Sequence, residues 1–266
     1  MSVFRPGKRH CTESSAPLQR GVCSKTALVS IAIAFACSGW IVKARGQEPG
    51  GFGGVESVGI TSSYSPDSSH ILIGEAEQRR TWTAGVQYTH RLGHTQKTRW
   101  DFEASLLPFY QESDPTTIGT EVTLAGHTYI SSQPAVRVTY VPRGPLGYVT
   151  ADGTTSPVYA LYGRKTTDGG ALSPLGARAT WFQRSRIRPS FSLDLGFLIA
   201  ARDIPVDNAF KFNFLFSFGP GVQVFVTPRS SVRLEYIYRH VSNASLGDVN
   251  PGVDQGTFRL TLSRHR

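Results

Sequence analysis

Beyond residue 47 the chain has no apolar run long enough for a transmembrane helix, yet segment after segment alternates apolar and polar residues with period two. That alternation specifies strands with two unlike faces. In Ala209 to Phe218 the residues Phe210, Phe212, Phe214, Phe216 and Phe218 share one face, and Lys211, Asn213 and Ser217 share the other. Arg188 to Ala200 repeats the pattern, with Phe191, Leu193, Leu195, Phe197 and Ile199 opposed by Ser190, Ser192, Asp194 and Gly196. Trp82, Ala84, Val86 and Tyr88 alternate with Thr83, Gly85, Gln87 and Thr89, and Trp100, Phe102, Ala104 and Leu106 with Asp101, Glu103 and Ser105. A water-soluble sandwich could bury such rows; a barrel in lipid would turn them outward.

Counted back from the C-terminus, the pattern predicts strands near 254–264, 230–242, 209–226, 188–200, 174–183, 98–109, 81–91 and 53–64. The connections 227–229, 184–187 and 92–97 are brief, whereas 243–253, 201–208, 110–173 and 65–80 are longer, as in bacterial barrels with short periplasmic turns and long outer loops. The expected fold is therefore all-β, an antiparallel up-and-down transmembrane β-barrel of eight strands spanning 47–266. Within 110–173, Val136, Val138 and Tyr140, and again Val158, Ala160 and Tyr162, look strand-like. They predict a long outer loop or an extra outer hairpin, or else two more barrel strands, making ten. Gly219-Pro220-Gly221 reads as a bulge or bend rather than a phosphate loop. The chain ends Leu262-Ser263-Arg264-His265-Arg266, without the terminal aromatic common in such barrels.

The net charge of +9 suggests an anionic partner until its distribution is examined. Residues 1–46 hold 7 of the 28 Lys and Arg and 1 of the 19 acidic residues, leaving 21 basic against 18 acidic in the rest. Those charges are scattered along alternating segments, so no nucleic-acid partner is expected. Cys11, Cys23 and Cys37 also lie before residue 47, which removes disulfides and cysteine metal sites from the remainder. Lys8, Arg9, Arg20 and Lys25 precede an uncharged run from Thr26 to Val42, the layout of a signal peptide over 1–46 with Ala44 and Gly46 at the favoured cleavage positions. Ala34-Phe35-Ala36-Cys37 lacks the Leu of a lipobox, so Cys37 reads as part of the apolar run; a retained membrane helix is the alternative.

Chemistry concentrates in the last hairpin. Val232, Leu234, Tyr236 and Tyr238 form the apolar row of the penultimate strand, and His240 and Ser242 continue it. On the final strand Asp254 and Gly256 share parity with Phe258, Leu260 and Leu262. All three polar residues then face outward, and antiparallel pairing around 243–253 sets Asp254 opposite or diagonal to His240 and Ser242. An acid can orient the imidazole, the imidazole can take the Ser proton, and the oxygen can attack an ester carbonyl. The plain alternative is a hairpin end solvated among headgroups, in a barrel that is structural or adhesive rather than enzymatic. Asp248 is a second possible acid, but it lies mid-loop, whereas the parity of Asp254 matches the pair.

His240-Val241-Ser242-Asn243-Ala244, followed by Asn250 and Asp254, resembles the signature of the outer-membrane lipid A 3-O-deacylases, the PagL-like enzymes. The resemblance covers roughly the last hundred residues and is sharpest in this hairpin; Arg188-Pro189 and Ile204-Pro205-Val206 match less sharply. It implies an eight-stranded barrel in the cell outer membrane with its site on the lipid-facing surface. It also implies an esterase that removes a 3-O-linked acyl chain from lipid A, with lipopolysaccharide as substrate and no cofactor or metal. By resemblance Ser242 is the nucleophile, His240 the base and Asp254 the acid, with Asn243 and Asn250 shaping the loop and oxyanion site. The family acid is usually Glu; Asp254 is one methylene shorter and must sit closer to His240. A phospholipase-like esterase using the same trio is the remaining enzymatic reading.

Overall fold

The computed structural model describes residues 51–266. The signal peptide expected over 1–46, with Cys11, Cys23 and Cys37, lies outside the described residues. Eight antiparallel strands form a closed ring: β1 (Glu56–Ser65), β2 (Arg80–His94), β3 (Thr98–Leu124), β6 (Thr154–Trp181), β7 (Ile187–Ile204), β8 (Phe210–Thr227), β9 (Ser230–Ser242) and β10 (Val253–His265). Each pairs with its chain neighbours. The ring closes where β1 meets β10, from Ser57↔His265 to Tyr64↔Phe258, and where β3 meets β6 from Thr98↔Trp181 onward. Closure leaves the ring without a free edge, as a sheet in hydrocarbon requires.

The region 110–173 is neither an extended loop nor two further staves. β3 and β6 run for 27 and 28 residues and stay paired beyond the ring as far as Val122↔Val158. Two additional strands, β4 (His127–Arg137) and β5 (Gly147–Ala151), pair with their outer stretches. The sheet thus has ten strands in the order β4-β3-β2-β1-β10-β9-β8-β7-β6-β5, and only eight of them close. Val136 belongs to β4, whereas Val158, Ala160 and Tyr162 belong to β6.

Period two sorts the two faces. Val58, Ile60, Trp82, Val86, Leu106, Phe191, Phe214, Leu234, Phe258, Leu260 and Leu262 are exposed on the outside, a continuous apolar band suited to lipid. No described helix is long and apolar enough to cross a membrane. Asn213 and Ser217 are buried inside as their parity predicts, but Lys211 is exposed, because it sits at the outer start of β8 where the ring no longer encloses it. Gly219-Pro220-Gly221 is not a bulge. β8 keeps its register with β7 through Ser192↔Gly219 and Ser190↔Gly221, and with β9 on either side through Phe218↔Tyr238 and Gly221↔Glu235. Pro220 simply has no N–H to give the ladder.

Inward-facing charge fills the middle of the barrel. Arg178 bridges Asp101 at 2.8 Å and Glu103 at 3.0 Å, and Arg233 reaches Glu103 at 2.7 Å. Arg259 spans Asp194 and Glu235, each at 2.6 Å. Unpaired, any one of these ions would carry a desolvation cost of several kcal/mol, and mutual pairing offsets most of it. Towards the long-loop end the lining becomes apolar, with Leu107, Tyr110, Leu198, Leu215, Val241 and Val253 buried together. Both layers lie inside the ring, so outward polar side chains at this end owe nothing to the core.

Candidate active site

β9 and β10 bring His240 and Asp254 into contact, with Ser242 two residues further along the same face of β9. Their register pairs Asp254 directly with His240, and the imidazole Nδ1 lies 2.7 Å from Asp254 Oδ1. A direct cross-strand partner is near enough for a carboxylate as short as that of Asp to contact the imidazole. The Asp254 side chain is 0 % exposed and that of His240 13 %, although both project from the outer wall. Since Asp254 holds Nδ1, the other ring nitrogen, Nε2, is the one left to act as a base.

Ser242 follows His240 on the same face of β9, about 7 Å along the strand between Cα atoms. Its Oγ accepts the Ala244 N–H at 3.3 Å, and among the described residues it makes no hydrogen bond to the imidazole. Contacts of this kind are often loose without substrate and tighten in the reacting complex. Gly252, at φ +61°, sits against the ring: a Cβ there would lie 3.0 Å from His240 Cε1 and 3.7 Å from Nε2. Glycine therefore leaves the imidazole the space it occupies.

Asn243 and Asn250 build the loop. Asn243 is buried; its main-chain N–H donates to Asn250 Oδ1 at 3.1 Å, its Nδ2 to the Val249 carbonyl at 2.9 Å, and its Oδ1 accepts the Ser245 N–H at 2.8 Å. Their side chains are thus engaged with backbone, while the turn carries positive φ at Ala244 (51°) and Ser245 (65°) and brings the Ala244 N–H to the Ser242 oxygen. Asp248 is exposed in this loop, and the imidazole's partner is Asp254.

β8 supplies an aromatic wall. Phe214 is registered opposite Ser242 and Phe216 opposite His240. Phe212 packs edge-on to Phe214 at 5.3 Å between centroids and against Phe197 at 5.8 Å, and Phe218 contacts Tyr238 at 5.2 Å. Hydrocarbon can lie along these rings, with the polar trio beside them.

The model of the lipid A 3-O-deacylase (PagL) family matches residues 74–263. The chain belongs to that family. It is accordingly an outer-membrane protein, and at family level a lipid A deacylase. No curated protein sequence matches it. Similar solved structures include the outer-membrane enzyme PagL (TM-score 0.43, 12 % identity, covering 79 % of this chain and 99 % of that one). Neisserial surface protein A is similar at TM-score 0.41 and 12 % identity, covering 79 % of this chain and 97 % of the other. OprG from Pseudomonas aeruginosa is similar at TM-score 0.38 and 10 % identity, covering 81 % and 98 %.

Some residues at this site escaped the sequence reading. Tyr238 looked like one more member of an apolar row, but its hydroxyl donates to Asp254 Oδ1 at 2.7 Å. Leu72 and Ile73, in the β1–β2 connection, donate their main-chain N–H groups to Asp254 Oδ2 at 2.7 and 2.9 Å. The phenol on the row shared with His240 was the available signal for Tyr238; nothing local marks the other two.

Proposed function

We propose that this protein hydrolyses the ester bond of the 3-O-linked acyl chain of lipid A through Ser242, His240 and Asp254. The observation that carries the reading is the imidazole–carboxylate pair at 2.7 Å, set beside Ser242 on the lipid-facing wall, in a chain of the deacylase family. Charged side chains are costly on that face.

His240 Nε2 takes the Ser242 proton as Oγ bonds to the acyl carbonyl carbon, and the carbonyl oxygen gains the negative charge. Asp254 stabilises the imidazolium that forms. The Ala244 N–H, already directed at this spot, is positioned to donate to the oxyanion. Collapse breaks the ester C–O bond, the imidazolium returns its proton to the sugar 3-oxygen, and Ser242 is left acylated. Water, deprotonated by the same imidazole, then attacks the acyl carbon; the bond to Ser242 Oγ breaks, the imidazolium returns its proton to Oγ, and the fatty acid leaves. The long-loop end, where the trio sits, would face the lipopolysaccharide leaflet. Residues 1–46 are the export signal in this reading.

Mass spectrometry of lipid A from cells making the wild type, Ser242→Ala or neither tests it. Only the wild type should lower the lipid A mass by one 3-O-linked acyl group. Unchanged lipid A beside folded wild-type protein in the outer membrane would contradict the reading and favour a non-catalytic barrel.

A further inference from the structure

Left to itself, Asp254 would be a poor orienting acid. It stands at the start of a strand and faces outward, where an unpartnered carboxylate would be free to rotate about its side-chain bonds. Yet it is fully buried, and both oxygens are engaged. Oδ1 takes His240 Nδ1 and the Tyr238 hydroxyl, each at 2.7 Å, while Oδ2 takes the Leu72 and Ile73 N–H groups. The last two donors come from a connection about 180 residues away in sequence.

That connection, residues 66–79, is fastened along the start of β10. Ser69 N–H donates to the Asp254 carbonyl at 3.2 Å, Glu75 N–H to the Pro251 carbonyl at 2.6 Å, and Ala76 N–H to the Gly252 carbonyl at 3.0 Å. His70 Nδ1 meets the Gly74 carbonyl at 2.7 Å and pins the turn. Gly74 is packed so closely that a Cβ there would fall 2.5 Å from Asp254 N and 2.8 Å from Oδ1. While their backbone holds the carboxylate, the side chains of Leu72 and Ile73 are 59 % and 56 % exposed.

We propose that the Leu72–Ile73 main chain and the Tyr238 phenol form a clamp that positions Asp254 for the deacylation proposed above, on which this inference rests. With each oxygen fixed, the carboxylate cannot turn from Nδ1, so the imidazole keeps the tautomer and orientation that aim Nε2 towards Ser242. The exposed Leu72 and Ile73 side chains cap the acid on the hydrocarbon side and exclude water from it. Tyr238, Leu72 and Ile73 are positioning residues, acting through Asp254 and not on the substrate.

Tyr238→Phe, which removes one donor and keeps the ring, and Gly74→Ala, which drives a methyl group into the clamp, test the proposal in refolded barrel with lipid A as substrate. Each should lower kcat by about tenfold to a hundredfold with KM changed by less than about twofold, because acid orientation and not lipid binding is lost. In an Asp254→Asn background, which should retain measurable residual turnover, the same changes should cost less than about twofold. A merely structural role would cost as much there as in the wild type. Full kcat in both variants, or undiminished losses in the Asp254→Asn background, would overturn the clamp while leaving the catalytic trio intact. A folded wild type with no turnover of lipid A overturns the trio and the clamp together.

Discussion

Lengthening Asp254 to Glu, the acid usual in the family, should impair this protein rather than improve it. The carboxylate has no exposed surface and lies 2.7–2.9 Å from Nδ1 of His240, the Tyr238 hydroxyl and the Leu72 and Ile73 N–H groups. One extra methylene moves the carboxyl by about 1.5 Å, more than those contacts can absorb together. Either the acid overshoots the imidazole or the 66–79 connection is pushed off. A displacement of about 1 Å at a catalytic centre costs on the order of a hundredfold, near 2.7 kcal/mol in the barrier. The assay is initial-rate deacylation of lipid A by refolded wild type and Asp254→Glu at equal folded concentration, with folding checked by heat-modified gel mobility. The account requires a loss approaching two orders of magnitude in kcat. Wild-type or higher activity in Asp254→Glu would refute the reasoning, since it would mean that the acid's surroundings are not rigid.

Further outcomes follow from the same contacts. Gly252→Ala places a methyl group 3.0 Å from His240 Cε1 at a φ of +61°, so steady-state kinetics should show a fall in kcat of about tenfold or more with the barrel still folded. Arg259→Met strips Asp194 and Glu235 of their shared cation inside the barrel and should lower unfolding stability in lipid vesicles by about 3–5 kcal/mol, with much of it restored by adding Asp194→Asn and Glu235→Gln. Single cysteines at 212, 214 and 216 should react with a lipid-phase maleimide, whereas cysteines at 213 and 217 should not, because between 212 and 218 the even-numbered side chains of β8 face outward and the odd-numbered ones are buried.

The ring was legible in the sequence because a membrane barrel writes period two into every stave. The rows at Phe210–Phe218 and Phe191–Ile199 fixed which face met lipid, and the parity of His240 and Asp254 carried as far as their side-chain contact. Pairing beyond the ring was not legible. The outer sheet of β4, β3, β6 and β5 depends on β3 and β6 remaining paired past the ring, and alternation alone does not say where a barrel stops. Lys211 follows the inward parity of its strand, yet the ring ends before it. Leu72 and Ile73 serve through their backbone, and main-chain donors leave no mark in residue identity. The roles of Asn243 and Asn250 were visible as loop chemistry from their type, but which group each would bond depended on the turn through Ala244 and Ser245.

The claim at the centre of this account is that Ser242 Oγ becomes bonded to the acyl group. Intact-protein and peptide mass spectrometry of the folded barrel, treated with a long-chain fluorophosphonate or quenched during lipid A turnover, reads that bond directly. The account predicts a single adduct on the peptide carrying Ser242, lost in Ser242→Ala and in His240→Ala although both variants still show the heat shift of a folded barrel. Deacylation that persists in Ser242→Ala, or an adduct on any other residue, would contradict it.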